Sequence, residues 1–295
     1  MKLCRFGDNR LGLVDEKAGL IRDVTAALKV LPRPAGYPLP RHDLLIANLA
    51  KVKAEVKRLA PRAKKLPLAR AKLLAPIANP GKIIGAPINY HDHIAEARAD
   101  TGIGHGRMTE DAAIAKWGLF IKAGSALVGP SHGVVLRRPH TNMENRNDHE
   151  VELVAVIGRK GTQIAAKDAL KYVAGYAIGL DMTLRGPQFA GFRKSIDTYA
   201  VLGPWFVTAD EFGSPADVAM KITVDGEVRQ DASTKYLIYD VPKLIEFASS
   251  YYTLEPGDLI YTGTPAGVGP VQEGSVMVAT IAGIGAMTVK VKGAI

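Results

Sequence analysis

The chain has 295 residues, 47% of them hydrophobic, a formal charge of +9 and one cysteine, Cys4. That content can bury one large core, with or without a small appendage, and no apolar run approaches the roughly 18 to 20 residues that cross a bilayer. A lone cysteine excludes an internal disulfide and a thiolate zinc cluster within one chain, so a bound metal must take oxygen or imidazole ligands.

Residues 1–80 hold 17 Lys and Arg against 6 Asp and Glu, more than the whole net charge. The densest part, 51–72, has no aromatic residue to stack on a base and reads as a solvated helix face, so neither nucleic acid nor membrane is expected as a partner. No secretory core follows Met1, which points to the cytoplasm. Short apolar groups in 3–24, punctuated by Gly7-Asp8-Asn9 and Glu16-Lys17-Ala18-Gly19, predict small hairpins. Pro32, Pro34, Pro38 and Pro40 break regular structure. Leu45, Leu49, Val52, Val56 and Leu59 then follow helical spacing, which predicts one helix over 43–59, stopped by Pro61. A loose stretch over 66–80 marks the edge of a small N-terminal α+β domain, 1–76, ahead of a larger domain, 77–295.

A buried strand over 82–86 runs into Asn89-Tyr90-His91-Asp92-His93-Ile94-Ala95-Glu96. If a helix starts near His91, His93 and Glu96 share a face, and the carboxylate can fix the imidazole tautomer and raise its basicity. The plainer reading is a capping Asp with surface histidines. Residues 99–116 carry Gly102, Gly104 and Gly106 and suggest a mobile loop or a short lid over a site. A polar segment, 140–148, leads into Glu150-Val151-Glu152 and an apolar run to Ile157, which predicts a strand covered on both faces. The two carboxylates fall on one face and, if buried, demand a cation or a basic partner.

Residues 173–181 read as a buried strand ending in Asp181, which is placed either to join Glu150 and Glu152 as a third metal ligand or to cap the next turn. Asp225-Gly226 predicts a hairpin between 221–224 and 228–230. A helix follows Pro242, with Leu244, Phe247 and Ala248 inward. Residues 257–269 form a strand and a glycine-rich loop that lacks the Gly-Lys-Ser/Thr of a phosphate loop. Many short strands with few helices give a strand-dominated α+β fold.

Taken in order, Asn89-Tyr90-x-Asp92-His93-x-x-Glu96, Phe120-Ile121-Lys122, Glu150-Val151-Glu152-Leu153, Asp181-Met182-Thr183-x-Arg185, Lys194-Ser195-x-Asp197-Thr198 and Thr262-Gly263-Thr264-Pro265-x-Gly267-Val268-Gly269 resemble the fumarylacetoacetate hydrolase family over roughly 82–295. The resemblance implies a mixed β-sandwich roll, a homodimer, and one Mg²⁺ or Mn²⁺ held by Glu150, Glu152 and Asp181. It also implies a small anionic oxo-acid substrate, a role in aromatic-compound catabolism, and cleavage of a carbon–carbon bond in an acylpyruvate or related β-diketo acid through a metal-stabilised enolate. His93 and Glu96 would activate water, Lys194 would stabilise the developing charge or assist protonation, and Arg185, Thr264 and Gln230 would bind substrate. His91 and His149 are expected to be structural. Decarboxylation, isomerisation or hydration of 2-oxo dicarboxylic acids on the same site is the alternative, and a non-catalytic binder of small acids or nucleic acid is a third. The chain departs from the family's habit at His149, where Tyr is frequent, and at Lys235, where an acidic residue is common; Lys235 would favour a more acidic substrate.

Overall fold

The computed structural model describes residues 1–34, 36–104, 113–137 and 146–293. Its centre is a twelve-stranded mixed sheet whose main path runs Lys65–Pro67, Leu20–Asp23, Arg10–Asp15, Lys2–Phe6, Ala200–Thr208, Val173–Asp181, Val151–Ile157, Leu259–Tyr261, Ile83–Gly85, Phe120–Lys122. The three long middle strands are buried at nearly every position, as their unbroken apolar runs require. Alternate side chains feed two cores. Val151, Leu153, Ala155 and Ile157 pack on one face with residues of a five-stranded second sheet, such as Ile222 and Ala279, and of the helix Val241–Tyr251. Val154 and Val156 pack on the other face with Val52 and Val56 of the helix Leu49–Leu59. This is the layered, strand-dominated α+β roll expected from the sequence.

The N-terminal unit proposed for residues 1–76 extends the same sheet, with Lys2–Phe6 antiparallel to Ala200–Thr208 and Leu3 opposite Phe206. The expected helix over 43–59 divides at Asn48 into Leu44–Ala47 and Leu49–Leu59. Asp43 anchors that start. One carboxylate oxygen accepts from Ile46 N at 3.0 Å and the other from Ala78 N and Asn79 N at 3.2 and 3.1 Å. Asp43→Ala leaves three amides without this partner and is expected to cost about 2–3 kcal/mol, read as a lower urea midpoint at unchanged slope.

The expected continuous strand through Glu150 is also interrupted. Asn147–His149 pairs with Thr183–Leu184 and Gly269–Pro270 in a separate three-stranded sheet, and the large sheet begins at Val151. The chain exchanges partners at Glu150, whose carbonyl still accepts from Asp181 N at 2.9 Å. In the predicted loop over 99–116, Thr101–Gly104 and Ala113–Trp117 are short helices. Residues 105–112, with Gly106, and 138–145, which take in 140–145 of the polar segment, lie outside the described residues. Among the described residues no helix is long and apolar enough to cross a membrane.

Candidate active site

Antiparallel pairing of Val151–Ile157 with Val173–Asp181 sets Val151 opposite Leu180 and Glu152 opposite Gly179. Glu150, Glu152 and Asp181 therefore meet at one end of the strand pair. All three are buried, and one carboxylate oxygen from each lies within 4.8 Å of the others. An oxygen-only donor set of this kind suits a hard divalent cation and not zinc.

Basic side chains surround the triad. Lys194 Nζ is 2.6 Å from both Glu150 Oε2 and Asp181 Oδ2 and 2.7 Å from Thr183 Oγ1. Lys122, fully enclosed, donates to the other Asp181 oxygen and to Tyr199 O at 2.8 Å. Arg185 bridges Asp148 at 2.8 Å and Glu150 Oε1 at 3.0 Å. Burial tends to raise the Glu150 carboxyl, but Lys194 and Arg185 reverse this and hold it below the usual carboxylate range. Glu152 goes the other way. Burial and the neighbouring Asp181 push it well above that range, against the pull of Lys194. Its Oε2 accepts from Gly263 N at 2.7 Å. A carboxyl under such pressure to keep its proton is one that a divalent cation would relieve, which is the fit expected of a ligand.

His93 and Glu96 sit one turn apart on the helix His91–Ala99, with Nδ1 2.7 Å from Glu96 Oε2. With the carboxylate as acceptor, Nδ1 carries the proton and Nε2 keeps its lone pair. Glu96 Oε1 accepts from Gly267 N at 2.9 Å. The glycine-rich loop thus holds two of the site's carboxylates with backbone amides. Its glycines are required there: Gly263 and Gly267 have φ of +98° and +96°, and a Cβ on Gly267 would meet Arg229 O at 2.0 Å. Thr264 Oγ1 donates to Val151 O at 2.9 Å and accepts from Gln230 Nε2 at 2.7 Å.

These groups open on a cavity of about 410 Å³. His93, Glu150, Glu152, Arg185, Lys194 and Thr264 line it. Glu96 stands behind His93 and Gln230 behind Thr264, so Gln230 reaches the cavity through the threonine and not by lining it. His149 is buried with Nδ1 3.3 Å from Gln230 Oε1, and burial pushes its imidazole down, consistent with a structural place. Lys235 is exposed beside Tyr236 and is not among the described residues that line the cavity. Sequence reasoning assigned no role to Lys122, to Asp148, or to Gln188, which also lines the cavity. Lys122 lay within a quoted motif, and the signal that could have found it was a lysine amid a strand pattern.

The Fumarylacetoacetate (FAA) hydrolase C-terminal family model matches residues 82–292. The maleylpyruvate hydrolase of Aquipseudomonas alcaligenes is 51% identical over 292 residues, 99% of each chain. The 2,4-didehydro-3-deoxy-L-rhamnonate hydrolase of Sphingomonas sp. (strain SKA58) is 36% identical over 91% of this chain and 85% of its own. A crystal structure of maleylpyruvate hydrolase from Sphingobium sp. SYK-6, in complex with manganese(II) and pyruvate, superposes with a TM-score of 0.82 at 36% identity, covering 100% of both chains. With the motifs in order, the acidic triad in place and a match over most of its length, the chain belongs to the fumarylacetoacetate hydrolase family.

Proposed function

We propose that the chain is a divalent-metal-dependent hydrolase that cleaves the carbon–carbon bond of an acylpyruvate, with maleylpyruvate as the first substrate to test. The observation that carries this reading is that Glu150 and Glu152 of the acidic triad line one cavity with His93, which Glu96 backs. The likeness to two maleylpyruvate hydrolases supports it. Glu150, Glu152 and Asp181 would hold Mg²⁺ or Mn²⁺, which supplies Lewis-acid stabilisation of charge on the substrate's oxygens.

The remaining steps belong to the side chains. His93 Nε2 takes a proton from a water placed against the carbonyl distal to the pyruvyl end, and Glu96 stabilises the imidazolium that results. Hydroxide adds to that carbonyl, the bond to the pyruvyl methylene breaks, and its electron pair leaves as the enolate of pyruvate. Lys194, in the cavity wall beside Glu150 and Asp181, stabilises the developing negative charge. Protonation of the methylene completes the net addition of one water, giving pyruvate and the free acid. Arg185 and Thr264 line the same wall and would set the substrate's orientation. Family resemblance supports a cytoplasmic homodimer as the active form, testable by light scattering.

Incubation of the Mn²⁺-loaded protein with maleylpyruvate is expected to release one pyruvate per substrate consumed, followed through lactate dehydrogenase, and EDTA is expected to abolish it. A protein that binds Mn²⁺ but releases no pyruvate from any of a panel of acylpyruvates would overturn the reading. Product mass separates the alternatives, since hydrolysis adds water and splits the substrate, decarboxylation loses CO₂ and isomerisation changes no mass.

A further inference from the structure

Each carboxylate of the triad has one oxygen already engaged by a donor that the fold holds in place. Gly263 N holds Glu152 Oε2, Thr183 Oγ1 and Arg185 Nη2 hold Glu150 Oε1 at 3.1 and 3.0 Å, and Lys122 Nζ holds Asp181 Oδ1. Lys122 is the most constrained of these. Its side chain has no exposed surface, its ammonium also donates to Tyr199 O, and it lies 5.8 Å above the ring of Tyr261, whose hydroxyl is tied to Val201 O at 2.9 Å. Lys194 reaches the opposite oxygens, Glu150 Oε2 and Asp181 Oδ2, from the cavity wall.

We propose that Lys122 is a positioning residue that restricts Asp181 to a single metal-facing oxygen, so that the triad selects a small octahedral ion, Mg²⁺ or Mn²⁺, over Ca²⁺. The inference rests on the metal-dependent reading above in requiring the triad to bind a divalent ion. Three single oxygens would supply half of the six oxygens that Mg²⁺ or Mn²⁺ takes, with substrate oxygens and water available for the rest. Ca²⁺ takes about six to eight oxygens at about 2.3–2.6 Å and commonly draws both oxygens of a carboxylate, which this arrangement denies it. Releasing Asp181 Oδ1 restores that second oxygen.

The test is a titration of the metal-free, full-length protein with Mn²⁺ and with Ca²⁺, without substrate, following free Mn²⁺ by electron paramagnetic resonance and Ca²⁺ by calorimetry. Wild-type protein is expected to bind Mn²⁺ at least about 100-fold more tightly than Ca²⁺, and Lys122→Met to narrow that ratio by about tenfold or more. Thr183→Val removes the hydroxyl that donates to Glu150 Oε1 and accepts from Lys194 Nζ, while Arg185 still holds Glu150 Oε1 and Lys122 still holds Asp181 Oδ1, so its ratio should match wild type. Should the methionine variant fail to fold, Lys122→Gln carries the same expectation, because its shorter side chain withdraws the donor from Asp181. Equal affinity of the wild type for the two ions, or an unchanged ratio in a folded Lys122 variant, overturns the proposal. Pyruvate release is a separate readout. A Mn²⁺-selective protein that releases none defeats the hydrolase reading alone, and a pyruvate-releasing protein indifferent to the ion defeats this inference alone.

Discussion

Glu152→Gln is expected to reduce metal-dependent pyruvate release by about 10³-fold or more, since the Lewis acid it helps to hold supplies several kcal/mol of barrier lowering and each factor of ten needs about 1.4 kcal/mol. The same substitution is expected to stabilise the metal-free protein at neutral pH. Burial and Asp181 push the Glu152 carboxyl well above its ordinary range, so between the unfolded value, about 4.3, and the raised folded value the native state holds a proton that the unfolded chain has released. Stability from this group is fully present below the unfolded value and falls as pH rises through that window. A glutamine still accepts from Gly263 N through its amide oxygen and has no charge to bury. Melting in EDTA should therefore show the variant above wild type at pH 7, with the gap closing as pH falls toward about 4.3 and absent below it. Saturating Mn²⁺ should reverse the order, because ligand binding stabilises only the protein that binds it. A variant that keeps metal-dependent turnover, or that melts below wild type in EDTA at neutral pH, would remove Glu152 from the ligand set.

Sequence alone reached the chemistry that is written locally. An apolar run with no alternation marked Val151–Ile157 as covered on both faces, and it is. Three-residue spacing on a helix put His93 and Glu96 on one face, where Nδ1 and Oε2 stand 2.7 Å apart. Asp181 was readable as the acid closing a buried strand, because a strand's end is visible in its pattern. What escaped depends on pairings between distant segments. Lys122 meets Asp181 only because Phe120–Lys122 pairs antiparallel with Ile83–Gly85 at the far side of the sheet. The exchange of partners at Glu150 follows from His149 pairing with Gly269 while Val151 pairs with Leu180, and no periodicity announces it. Nor could the loop of 262–269 reveal that its amides hold Glu152 and Glu96, since that duty falls on backbone and the glycines only permit the approach. Residue types at a site are legible in order; the donors that tune them come from tertiary contacts.

The His93–Glu96 pair carries the second large effect, and it separates water activation from the chemistry at the pyruvyl end. His93→Asn removes the base and is expected to lower kcat for hydrolysis by about 10²–10⁴-fold. Glu96→Gln should cost less, because its amide oxygen still accepts from Nδ1, keeping the tautomer while removing the charge that stabilises the imidazolium. Neither residue belongs to the acidic triad, so Mn²⁺ affinity should match wild type in both variants. Exchange of the pyruvyl methylene protons of the bound substrate with deuterium, observed by NMR, should persist in both, since enolisation needs the triad and Lys194 but no attacking water. Loss of exchange in parallel with hydrolysis would mean that His93 removes the carbon-bound proton itself, and the isomerase reading would then gain ground over hydrolysis. A change confined to KM would assign the pair to substrate binding.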